Sequence, residues 1–187
     1  MWYHVALYLF PQANYIAKGD DDMFLRVPQY LADLRTLPRR GVYWGFFDIT
    51  SNMKVRYATG YSVTLARDVA EQVVLYEPLR RLVYRPYAAK ESDFLSLNME
   101  HEDVMVGRAL KERRYPHLVY AREKSCRFHD VHVGHRVRPV TSRSVVIHHI
   151  KESEYAELME RFGNDTSPTG KRYRWGSRHF IGFGCMH

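Results

Sequence analysis

Two cysteines in 187 residues, Cys126 and Cys185, give no sign of a disulfide framework, and a reducing compartment is the expectation. No apolar run approaches the roughly 20 residues that a membrane-crossing helix needs. The amino-terminus lacks a basic stretch followed by a long apolar one, so a secretory leader is not expected either. The chain contains no Walker loop, no His-Glu-x-x-His, no Gly-x-Ser-x-Gly and no Cys-x-x-Cys. Nucleotide hydrolysis, zinc-protease and serine-triad chemistry are thereby unsupported. Between His4 and His101 there is no histidine at all. The expectation is a cytoplasmic protein without membrane contact, metal or cofactor.

What the chain has in excess is positive charge in one half. Residues 1–104 carry 12 Lys/Arg against 13 Asp/Glu, whereas residues 105–187 carry 16 against 8. A local positive field of that kind suits a polyanion, because phosphate binding needs concentrated cations rather than an evenly mixed surface. Anionic membrane is the competing partner, but no basic amphipathic helix with a broad apolar face supports it. RNA is the expected partner.

Hydrophobic periodicity predicts an α+β fold. Strands are expected at Trp2–Phe10, Gly41–Thr50, Val55–Val63 and Leu82–Tyr87, with helices at Phe24–Leu37 and from Leu65 to Tyr76 capped by Thr64. The second half reads as a strand at Phe94–Met99 and a helix at Glu102–Arg114. Strands are then expected at His117–Ala121, Phe128–Arg138 and Ser144–Ile150. A helix capped by Ser153 and stopped by Gly163 leads to a final strand. This order predicts tandem ferredoxin-like (βαββαβ), RRM-like halves, 1–90 and 91–187.

Several constellations invite chemistry. Cys126, His129, His132 and His135 recur every three residues, and these are zinc-ligand types. The alternation of Val131, Val133 and Val137 favours a strand, however, on which residues three apart point to opposite faces. On that strand Asp130, His132, Arg136 and Arg138 share a polar, basic face. The His-hydrophobic-His pattern of single-strand nickases is matched only with wrong spacing. Arg108, Lys111, Arg113 and Arg114 crowd the end of the helix from Glu102, beyond what its dipole requires. Lys171, Arg172, Arg174 and Arg178 surround Trp175, a candidate for stacking on an unpaired base. Gly182 and Gly184 can admit close approach of another backbone, or close packing beneath a helix.

The segment from Arg143, with its apolar strand, acid-capped helix, basic loop and Gly182-Phe183-Gly184 ending, resembles the carboxy-terminal end of the RAMP superfamily. The likeness is to CRISPR repeat-processing endoribonucleases in particular, and it covers about a quarter of the chain. It implies binding of a CRISPR repeat transcript, often a hairpin, and metal-independent cleavage by attack of the 2′-hydroxyl. It also implies retention of the product crRNA and association with effector-complex subunits. Many members of that family place a catalytic histidine just after the first strand. Here Tyr15 and Lys18 stand in that region instead, with His132 as the group nearest to a neutral-pH acid or base. A non-catalytic crRNA-binding subunit and a nucleic-acid-binding protein of a mobile element are the alternatives.

Overall fold

The computed structural model describes residues 2–84, 90–98 and 100–185. The fold is α+β, with seven helices and nine strands among those residues. In chain order they are α1 (Trp2–Leu9), β1 (Tyr15–Gly19), β2 (Met23–Leu25), α2 (Val27–Leu34), β3 (Val42–Ile49), β4 (Arg56–Ala66), α3 (Arg67–Val74) and α4 (Glu77–Tyr84). There follow α5 (Glu91–Ser96), α6 (Glu102–Arg113), β5 (Val119–Arg122), β6 (Phe128–Asp130), β7 (Val146–His148), α7 (Glu152–Phe162), β8 (Tyr173–Ser177) and β9 (Phe180–Phe183).

The strands do not divide between two βαββαβ halves. They form a six-stranded sheet of order β1-β4-β3-β5-β9-β8 and a three-stranded sheet of order β2-β7-β6. Both sheets draw on both halves of the chain, because β3 pairs with β5 in parallel and β2 pairs with β7 antiparallel. Helix α3 packs against both α1 and α6; α1 and α3 lie against β1, and α3 and α6 against β4. Trp44 of β3 stacks on Tyr30 of α2 and packs against Phe128 and Phe183. The first four residues of β3 are buried without alternation, as expected of a strand covered on both faces. A smaller core of Phe24, Ile147, Leu158 and Phe162 joins the three-stranded sheet to α7.

Several local expectations are corrected. Residues Trp2–Leu9 are helical, not a strand, since Tyr3 and Ala6 bury one face and the Trp2 indole donates to the Ala17 carbonyl. The Phe24–Leu37 helix is split: pairing with β7 holds Met23–Leu25 extended, and Pro28 lies in the first turn of a helix that begins at Val27. Thr64 does not cap a helix, because β1 holds β4 extended to Ala66 and the Thr64 hydroxyl bonds Tyr30. Leu82–Tyr84 close α4, which buries Leu79 and Leu82 at helical spacing; residues 85–87 of that expected strand lie outside the described residues. Phe94 lies in α5, whose start is held by the Asp93 carboxylate accepting the Lys90 N–H; Met99 also lies outside the described residues.

The long strand expected at Phe128–Arg138 stops at Asp130. The chain then turns through 131–135, with Gly134 at φ 112° against the Asp130 carboxylate, so the two-faced alternation never forms. In α7 the amino-terminal acceptor is Glu154, which takes the Lys151 N–H, and not Ser153. The two cysteines, expected as free thiols, form the Cys126–Cys185 disulfide across 59 residues, with Cα atoms 6.0 Å apart. The cause is tertiary: parallel pairing sets Arg122 against Gly182, and the chains leaving β5 and β9 carry the two sulfurs together. No helix among the described residues is long and apolar enough to cross a membrane.

Candidate nucleic-acid interface

The β8–β9 hairpin at one edge of the large sheet forms a wall of an open cleft of about 1470 Å³. The opposite rim comes from Arg26 and Gln29 at the start of α2, from Arg122, Lys124 and Arg127 between β5 and β6, and from Ser142 and Arg143 before β7. Lys171, Arg172, Arg174 and Trp175 complete it, so among the described residues eight cationic side chains and no acidic side chain line the opening. Among the described residues, the side chains of Arg122, Lys124, Arg143, Arg172 and Arg174 are exposed and make neither an ion pair nor a hydrogen bond. Trp175 is 57% exposed, its indole presented beside these cations.

The floor of the cleft is anchored by a buried charge cluster. Arg127, 3% exposed, donates to the fully buried carboxylates of Glu123, at 3.0 Å, and Asp33. Trp44 also donates to Glu123, at 3.0 Å. Burial pushes the Glu123 carboxyl up, against the pull of Arg127 and the Trp44 bond. Asp33 accepts the Lys171 backbone N–H at 2.6 Å, Gln29 donates to the Thr169 carbonyl at 2.9 Å, and Thr36 donates to the Lys171 carbonyl at 3.2 Å. Segment 169–171 is therefore laced to α2 before any ligand arrives. Gly170 makes this possible: a Cβ there would lie 2.5 Å from the Ala32 carbonyl oxygen. Burial, with Arg127 and Arg143 close by, lowers the Lys171 ammonium pKa.

Gly182 and Gly184 behave differently from Gly170. A Cβ on Gly182 would reach only the Arg122 carbonyl oxygen, at 3.7 Å, and one on Gly184 would meet nothing within 4 Å. Neither adopts positive φ. Packing does not demand glycine at these two positions, and their backbone lies bare on the cleft wall.

The structure thus brings together Lys171, Arg172, Arg174, Trp175, Gly182 and Gly184, and leaves the other candidates elsewhere. Arg178, in the β8–β9 turn, is exposed just outside the lining. Arg108 is spent on Glu112, the Ser96 carbonyl and Asn98, and Lys111 donates to the Met53 carbonyl at 2.7 Å. Arg113 donates to Gln72, and Arg114 ends α6 in the left-handed region. Arg136 pairs with Asp48 at 2.9 Å and lies over the Phe46 ring, while Arg138 is exposed beyond the turn. Arg26, Arg122, Lys124, Arg127 and Arg143 escape sequence reading, because all five lie far along the chain from the basic loop at 171–178 and only the fold brings them to it.

No hydrogen bond or ion pair among the described residues joins any two of Tyr15, Lys18 and His132. The Tyr15 hydroxyl donates to the Leu37 and Pro38 carbonyls, and burial raises its pKa to about 12. Lys18 pairs with Glu102 at 2.9 Å; burial acts to lower its pKa, but Glu102 outweighs it and the ammonium is held above its usual range. His132 bonds Glu154 at 2.8 Å. The zinc spacing is likewise dispersed, with Cys126 in the disulfide and His129 buried between Ser144 and the Asp130 carbonyl. No protein-family model matches the chain, and no curated protein matches it either.

Proposed function

We propose that this protein binds RNA, and that the sugar–phosphate backbone lies in the cleft between the β8–β9 hairpin and the start of α2. The observation that carries this reading is the lining itself: among the described residues it has eight cations, five of them unpaired, and no acidic side chain, beside an exposed tryptophan. Unpaired cations release counterions from a polyanion without first giving up a protein partner. An aromatic face among them supplies stacking for an unpaired base. The absence of side chains at Gly182 and Gly184 lets a sugar–phosphate backbone come close to the cleft wall.

The narrower form of the proposal is a CRISPR repeat transcript as the RNA, held by a protein with RAMP-type ancestry. Its support is that the basic loop and Gly182-Phe183-Gly184 both lie on the cleft. Tyr15, Lys18 and His132 each engage other partners and none lines the cleft, and this favours a binding subunit, which retains its transcript, over a nuclease. The test is fluorescence anisotropy with a labelled repeat-type hairpin and an unstructured RNA of equal length, with chelator present. Tight binding that Arg172→Ala/Arg174→Ala weakens at least tenfold, with the RNA left intact, is expected. Equal affinity in that variant would remove the cleft from the interface. A cyclic-phosphate product would restore the nuclease reading.

A further inference from the structure

A second group of side chains, separate from the cleft lining, gathers at one end of the three-stranded sheet. His148 and His149 end and follow β7, Asp22 precedes β2, and Asp130 ends β6; the pairing of His148 with both Met23 and Asp130 draws them together. One ligand atom from each of Asp22, His148 and His149 lies within 4.8 Å of the other two.

The hydrogen bonds fix which ring nitrogens are available. His148 Nδ1 lies 2.8 Å from Asp130 Oδ1, and His149 Nδ1 lies 2.8 Å from the Val133 carbonyl oxygen. Both partners are acceptors, so each Nδ1 donates to its partner, and Nε2 is the nitrogen that each ring can offer to a ligand. Asp130 is 4% exposed, and Tyr61 stacks on the His148 ring at 5.0 Å, so His148 has little freedom to turn. Its Nε2 faces Asp22 Oδ1 at 3.1 Å and Asp20 Oδ2 at 3.7 Å. A lone pair and carboxylates at such distances repel unless a cation joins them, either a proton on the ring or a metal ion. A carboxylate–histidine pair behind a converging Nε2 is the outer arrangement that metal-binding histidines use.

We propose that Asp22, His148 and His149 bind a divalent transition-metal ion of the zinc class, with Asp130 as the positioning residue behind His148. Two imidazoles and a carboxylate select such an ion over magnesium or calcium, which take oxygen ligands. Tetrahedral bonds of about 2.0–2.2 Å set ligand atoms roughly 3.3–3.6 Å apart. Asp22 and His149, with side chains 44% and 36% exposed, have room to close the remaining gap. Three protein ligands leave one position for water. Because both cysteines are bridged, no thiolate competes for the ion.

Isothermal titration of tag-free, chelator-stripped full chain with zinc chloride tests the site. One saturable equivalent of zinc, with no magnesium uptake, is expected. His149→Ala and Asp22→Asn should each weaken zinc binding at least tenfold while circular dichroism stays native. Asp130→Asn should weaken it by about 10–100-fold with stoichiometry retained. His135→Ala is the control that keeps full affinity. Wild-type protein provides an independent reading through cobalt(II), which should give a visible absorption band that zinc displaces. Absence of stoichiometric zinc uptake, absence of that band, or full affinity in both ligand variants would overturn the proposal and leave a proton as the cation at His148.

Discussion

Glycine residues in this chain do two opposite jobs, and substitution separates them. Gly170→Ala drives a Cβ into the Ala32 carbonyl at 2.5 Å, and neither the α2 backbone nor the segment it anchors can yield freely. The expected loss is about 1–3 kcal/mol of stability, read from a denaturant midpoint. Gly182→Ala should cost no stability, since its Cβ meets only one oxygen at 3.7 Å, yet it should weaken RNA binding by covering backbone on the cleft wall. Buried His129 carries a separate prediction. Burial lowers its pKa below the ordinary 6.5, so the unfolded chain takes up that proton first as pH falls. Its contribution to stability is present above pH of about 6.5 and is lost on acidification through the depressed folded value. Unfolding midpoints between pH 8 and 5 should therefore fall, and His129→Asn should flatten that decline.

Among the elements, the connection between β5 and β6 matters most, because it supplies Arg127 to Asp33 and Glu123 beneath the cleft. Arg127→Met would strand two buried carboxylates and should cost about 3–5 kcal/mol. Adding Asp33→Asn and Glu123→Gln should recover much of that loss, since removing the whole charged group is far less costly than orphaning part of it. Elements whose own pattern coincides with their packing are legible in sequence. Helix α6 has acids first and bases last, α7 has buried Leu158 and Phe162 one turn apart before Gly163, and β3 and β4 are rich in aromatic and β-branched residues. Helix α1 is not legible: its aromatic, β-branched composition favours a strand, and docking against α3 decides otherwise.

For the whole molecule, what sequence reading misses is long-range pairing. The halves expected in tandem, 1–90 and 91–187, interleave, since β3–β5 and β2–β7 each join strands from both. The same crossings make both candidate sites. The basic loop and glycines were legible because they are contiguous, whereas Arg26, Arg122 and Arg143 join them only through the fold. The central claim is that unpaired cations in this cleft hold RNA, and the salt dependence of binding tests it most directly. Removing Arg172 and Arg174 should reduce the slope of log affinity against log salt by about 1–2 phosphate contacts. An unchanged slope, with the variant folded, would contradict the account.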